Sequence, residues 1–209
     1  MIRVRITADA ATVDDLAPAV LALHRGGVVV FPTETFYGVA VDPRSASAVK
    51  RVFEIKQRGA DHPLPLIAAD IEQVVGHVGT MTPLAERLAR LGWPGPLTLI
   101  IPASPRLCGD VHLSTGRVAV RVPGDRLARL LARSAGHAIT STSANISGEP
   151  PASMPDDVVA SIGSRIDVLI DGGATPAGLP STIVDATGDT PMLVRAGVVP
   201  WERVLEFSK

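Results

Sequence analysis

The stretch GVVVFPTETFYGVA, residues 27–40, decides how the fold is read. Val28, Val29, Val30 and Phe31 form a short apolar run without polar alternation, the pattern of a strand buried on both faces. Pro32 cannot donate to a ladder and ends it. Two threonines, a glutamate and a tyrosine follow at once. They admit two readings: turn chemistry that satisfies backbone groups, or binding groups at a strand end.

Outward from this strand, beta-rich runs alternate with amphipathic helical segments, punctuated by proline and glycine. Upstream, Thr12 caps a helix with Leu16, Val20 and Leu21 on its apolar face, closed by Gly26 and Gly27. Downstream, Ser45 opens a second helix with Val49, Val52 and Phe53 on one face and Gly59 at its close. Thr82 and Pro83 are a cap followed by proline at the first helical position, with Leu84, Leu88 and Leu91 behind and Gly92 after. LTLIIP is a strand; VAVRVP is another, with Val118, Val120 and Val122 on one face and Arg121 on the other. Asp125 begins a helix through Leu127, Leu130 and Leu131 to Gly136. HAITSTS, DVLID, STIVDA and PMLVRA supply further strands, and SMPDDVVASIG a helix. The class is α/β: a twisted mixed β-sheet flanked by helices, in one domain over residues 1–209.

Composition narrows the function classes. The chain has 209 residues, 46% hydrophobic, enough for a substantial core. Twenty basic residues against twenty-one acidic give a net charge of -1, so no global basic field drives nucleic-acid binding, and any RNA contact would be local. The single cysteine, Cys108, excludes a disulfide framework and a multi-cysteine metal site. The opening MIRVRITADA lacks the apolar run of a signal peptide, and no run is long enough to span a bilayer. A soluble, cytoplasmic protein is the default.

Polar residues gather in five places, each with an ordinary alternative. PTETFYG is the first. In IKQRGADHPLPLI, residues 55–67, one further helical step along the face of Val49, Val52 and Phe53 lands on Lys56, with Arg58 two residues on. The two cations either complement a helix C-terminus or clamp phosphate with an ammonium and a fork. Arg121 stands alone on its strand face, as an edge arginine or as a bidentate carboxylate receptor. TSTSANISGEPP, residues 140–151, is dense in hydroxyls around Asn145, as a capping turn or as neutral donors around an anion. PSTIVD and LVRAG bring Ser181, Thr182 and Arg195. The five histidines lack metal-ligand spacing. No Ser-His-Asp or Cys-His constellation stands out.

In order and approximate spacing, PTETFYG, KQR, WPGPLTLI, VRVP, TSANISG, STIVD and VRAG resemble the YrdC-like threonylcarbamoyl-AMP synthases, from about residue 12 to the end. Longer members carry an additional C-terminal domain, and the length here suits the short, single-domain form. The resemblance implies a YrdC-like fold and a reaction. L-threonine, bicarbonate or carbon dioxide and ATP would give threonylcarbamoyl-adenylate and pyrophosphate. A separate tRNA threonylcarbamoyl-transferase complex would use that product to modify tRNA next to the anticodon. By motif match, Lys56 and Arg58 would be the catalytic pair on the ATP phosphates, with Ser143, Asn145 and Arg195 completing the nucleotide site. Thr33, Arg121 and Ser181 would hold L-threonine, with Tyr37 beside them. Mg2+ would arrive with ATP, and no metal ligand is assigned.

The chain departs from the pattern where relatives often have proline and asparagine, here Gly59 and His62, and Ile67 stands near a usual histidine. DGGATPAG, residues 171–178, lacks the phosphate-loop spacing and reads as a flexible loop near the site, which the resemblance implies could act as a lid. Three rival readings remain. One is a double-stranded-RNA-binding or ribosome-assembly module, and another a carbamoyl-transfer domain of the hydrogenase-maturation kind. The last is a degenerate nucleotide-binding member.

Overall fold

The computed structural model describes residues 1–7, 10–57, 62–112 and 115–208. In chain order the elements are β1 (Ile2–Arg5), α1 (Ala17–His24), β2 (Val29–Phe31), β3 (Gly38–Ala40), α2 (Ala46–Lys56), β4 (Leu66–Ile67) and α3 (Ile71–Gln73). Then come α4 (Pro83–Gly92), β5 (Leu97–Pro102), α5 (Gly109–His112), β6 (Arg117–Arg121), α6 (Arg126–Ala135), β7 (Ile139–Thr140) and β8 (Thr142–Ser143). The chain closes with α7 (Pro155–Ile162), β9 (Val168–Asp171), β10 (Thr182–Asp185), β11 (Met192–Arg195) and α8 (Trp201–Ser208).

The mixed α/β class is observed, with the strands divided between two sheets. One runs β1-β9-β2-β3-β8 and the other β11-β10-β5-β6-β4-β7. In the first, β2 is parallel to β9 and antiparallel to β3. Its two faces feed different parts of the core. Val28 and Val30 pack with Val49, Val52 and Phe53 of α2, whereas Val29 and Phe31 pack with Leu23 of α1, with Leu16 just before it and with Leu127 and Leu131 of α6. Double-sided burial is why the run is apolar at every position. The larger cluster also takes Leu97, Leu99 and Ile101 from β5, Val118 and Val120 from β6, and Leu84 and Leu88 from α4. Each such side chain contributes about 1.5–3 kcal/mol when taken from water.

Three caps form as their sequences dictate. Ser45, Thr82 and Asp125 accept from the backbone N–H groups of Ala48, Ala85 and Ala128, and α6 ends at Gly136. Other details differ. Thr12 accepts from the Asp15 amide ahead of a one-turn 3-10 segment, and the buried side of α1 is Ala19 and Leu23, leaving Leu21 49% exposed. Leu91 is 61% exposed, because α4 meets the core one turn earlier through Leu88. The second helix stops at Lys56, where Gln57 takes the left-handed cap; Gly59 lies outside the described residues.

Two motifs brace the second sheet. Trp93 Nε1 donates to the Leu97 carbonyl at 2.6 Å, and the Gly95 amide donates to the Val122 carbonyl at 2.9 Å. WPGPLTLI thus fastens the start of β5 to the end of β6, the strand that carries Arg121. Among the described residues, no helix is long and apolar enough to cross a membrane.

Candidate active site

The opening motif is built onto TSANISG. β3 runs antiparallel to β8 with Gly38 opposite Ser143, and the Ala144 amide donates to the Tyr37 carbonyl at 2.8 Å. A Cβ at Gly38 would meet the Phe31 ring and Ser141 Oγ at 3.2 Å, so this approach favours a residue without one.

Lys56 sits in the last turn of α2 and is 3% exposed, as the extended apolar face predicts. Its Nζ donates to the Ser143 carbonyl at 2.8 Å, to Ser143 Oγ at 3.2 Å and to Asn145 Oδ1 at 2.9 Å. Asn145 is oriented for this: its Nδ2 donates to the Glu149 carbonyl at 2.6 Å and to the Ile146 carbonyl at 3.0 Å, leaving Oδ1 toward the cation. Lys56 thus links the end of α2 to the residues around β8. Around it opens a cleft of about 450 Å³, lined by Lys56, His62, Thr142, Ser143, Asn145, Ser147 and Gly148. The cleft thus gathers one buried cation with hydroxyl and amide side chains. Arg58 lies outside the described residues.

A second group gathers on the other sheet. Arg121, 8% exposed, ends β6 and forms an ion pair with Glu34 through Nη1. Burial pushes the guanidinium down to about 10, a fall that Arg195 adds to and Asp125 opposes; it stays a cation at neutral pH. Ser181 Oγ lies 2.8 Å from Thr98 Oγ1, and Arg195 Nη2 donates to the Ser181 carbonyl at 2.8 Å and to its Oγ at 3.1 Å. Parallel β10 and β5, with antiparallel β11, fix these three residues. Arg195 therefore stands with Ser181 and acts on Arg121, rather than lining the Lys56 cleft.

Thr33 is 5% exposed, and its hydroxyl donates to the Phe36 carbonyl at 2.7 Å while accepting from the Thr35 amide at 3.2 Å. The turn reading of PTETFYG is observed: the Thr33 hydroxyl closes the turn, and the turn places Glu34 against Arg121. Tyr37 is fully buried; its phenol, pushed up to about 12 by burial, donates to the Gly173 carbonyl at 2.6 Å. The Ala177 amide donates to the Thr35 carbonyl at 3.0 Å, so the DGGATPAG segment lies along the motif. Ile67 is the register partner of Arg121 and is 1% exposed in the apolar core; His62 lies at the Lys56 cleft instead.

Sequence reasoning missed Glu34 and Thr98. Glu34 carries no periodic signal, and only its charge in a strand-ending motif marked it. Thr98 was hidden in a run that reads as pure strand. Among the described residues, no three His, Cys, Asp or Glu side chains gather as a metal site.

Comparison with known proteins gives the geometry a context. Residues 21–197 match the Sua5/YciO/YrdC family, described as telomere recombination. The threonylcarbamoyl-AMP synthase of Bacillus subtilis (strain 168) is 37% identical over 96% of this chain and 59% of its own. That of Thiobacillus denitrificans is 41% identical over 79% of this chain and 88% of its own. The crystal structure of Pyrococcus abyssi Sua5 complexed with L-threonine superposes with a TM-score of 0.90 at 36% identity, covering 99% of this chain and 60% of that one. The chain thus spans little more than half the length of the Bacillus and Pyrococcus proteins. A match over most of its residues, motifs and fold alike, makes this chain a member of the Sua5/YciO/YrdC family.

Proposed function

We propose that this chain makes threonylcarbamoyl-adenylate and pyrophosphate from L-threonine, carbon dioxide or bicarbonate, and ATP. The observation that supports the reading is the cleft around Lys56, together with the buried Arg121, in a fold shared with a Sua5 protein complexed with L-threonine. Lys56, Ser143 and Asn145, with Arg58, would hold the ATP phosphates. Arg121, Ser181 and Thr33 would hold the amino acid, Arg121 at its carboxylate, with Arg195 beside Ser181.

The chemistry needs positioning more than a covalent nucleophile. The free amine of threonine attacks carbon dioxide, forming an N–C bond and losing a proton, and a carbamate oxygen then attacks the α-phosphorus. Pyrophosphate leaves with the electron pair of the broken P–O bond. Charge spreads over the phosphate oxygens during this step, and fixed cations such as Lys56 stabilise it. Magnesium would come bound to the phosphates, for an ammonium, hydroxyls and an amide suit phosphate oxygens better than a bare dication. DGGATPAG, hydrogen-bonded along the motif, would serve as the lid. The product would pass to a tRNA threonylcarbamoyl-transferase complex in the same soluble compartment.

The test is to incubate the purified chain with ATP, magnesium, bicarbonate and L-threonine and follow the labile adenylate by prompt mass spectrometry. The expected result is product only when every substrate is present. ATP binding without product under any condition would refute synthesis by this chain alone.

A further inference from the structure

Glu34 and Arg121 are oppositely charged; the Arg121 side chain is 10% exposed and the Glu34 side chain is partly buried, at 26%. Their contact uses Oε1 of the carboxylate and Nη1 of the guanidinium. Glu34 Oε2 is buried and has no hydrogen-bond partner among the described residues, and the other guanidinium N–H groups donate no hydrogen bond among them. A buried carboxylate oxygen without a donor is unfavourable, so the site is set to receive one.

Charge balance says what kind of donor. Arg121 and Glu34 cancel, and the neighbouring Arg195 and Asp125 are of opposite sign as well. An anion entering alone would bring one uncompensated negative charge into a poorly hydrated site; a zwitterion brings none. We infer that Glu34 is the acceptor for the α-ammonium of the amino-acid substrate, while the substrate carboxylate takes the open edge of Arg121. The inference rests on the threonine reading above and adds a residue which that reading leaves without a role. The two side chains then form a receptor for the dipole of an α-amino acid, and Glu34 holds the nitrogen that becomes the carbamate nitrogen. A hydroxy acid of the same shape satisfies only half of it.

Calorimetric titration of the whole chain with L-threonine, and with the hydroxy acid in which a hydroxyl replaces the amine, tests this directly. Glu34→Gln keeps the shape and removes the charge; a thermal melt and ATP binding at the wild-type level establish that it is folded. The wild type should prefer threonine, and Glu34→Gln should lose about tenfold or more in threonine affinity, as for a charge-assisted hydrogen bond, with the hydroxy acid changed less than twofold. Glu34→Asp should recover part of the loss. Unchanged threonine affinity in Glu34→Gln would overturn the inference, and so would an equal loss for both ligands, which would mean that Glu34 only props Arg121. Failure of the wild type to bind threonine at all would overturn the functional reading and this inference together.

Discussion

Lys56 Nζ lies 2.9 Å from Asn145 Oδ1, although 89 residues separate them in the chain. The contact crosses from the last turn of α2 to the residues just beyond β8, so it reports on both the site and the packing. Lys56→Met should therefore do two things. Adenylate formation should fall by about 100-fold or more, as when a preorganised charge donor is lost. The acceptors left behind should also cost roughly 1–3 kcal/mol of stability. Product formation by mass spectrometry and a urea melt check the two halves; wild-type activity would remove Lys56 from the chemistry.

Tyr37 ties the opening motif to the following loop through one hydrogen bond to Gly173. Tyr37→Phe leaves that carbonyl without its donor at a cost of about 1 kcal/mol. The melting temperature should drop by roughly 2–4 °C. Since the loop leads directly to Ser181, KM for threonine should rise while nucleotide affinity stays unchanged, and steady-state kinetics with each substrate varied would show the split.

A Cβ at Gly197 would come within 2.2 Å of the Pro180 carbonyl oxygen and 2.5 Å of backbone atoms of Ser181 and Thr182. Backbone cannot swing aside as a side chain does. Gly197→Ala should destabilise the chain by about 1–3 kcal/mol, the usual cost of overpacking. It should also weaken threonine binding, because Arg195 and Ser181 shift with their strands. Equilibrium unfolding and calorimetry would expose both effects.

His137 is 2% exposed, and burial is the largest influence on it, holding its proton affinity below the ordinary value despite the neighbouring Asp42. Its Nδ1–H donates to the Ala138 carbonyl at 2.8 Å in the neutral form. The unfolded chain then binds the proton more readily than the folded one. Stability from this group is present above about pH 6.5 and is lost as pH falls from there toward the lower folded value. Melts between pH 8 and pH 5.5 should show that loss in the wild type and a flatter profile in His137→Gln.

What the sequence revealed was what local physics decides. Ser45, Thr82 and Asp125 cap their helices because the side-chain oxygen and the amide it serves are three residues apart. The alternation of Val118, Val120 and Val122 against Arg121, and the helical step to Lys56, follow from the strand and helix periods. What stayed hidden depends on distant pairings. The division into two sheets rests on β9 running between β1 and β2, and on β4 between β6 and β7. No local pattern encodes such neighbours. Leu21 and Leu91 fit an apolar face by spacing, yet both stay exposed, because burial belongs to the assembled helix rather than to its sequence. Glu34 acquires its meaning only when β6 delivers Arg121.

Between β7 and β8 the chain passes from one sheet to the other through a single residue. Thr140 ends β7 in the larger sheet, Thr142 begins β8 in the smaller, and only Ser141 lies between. Side chains on a strand alternate with a period of two, so one inserted residue here would turn Ser143 to the opposite face and carry Asn145 away from Lys56. Change in composition can be absorbed at this crossing; change in length cannot. Across descendants of this chain, insertions and deletions should collect in the outer loops and spare the count of residues from Thr140 to Asn145, as a frameshift spares nothing downstream of it.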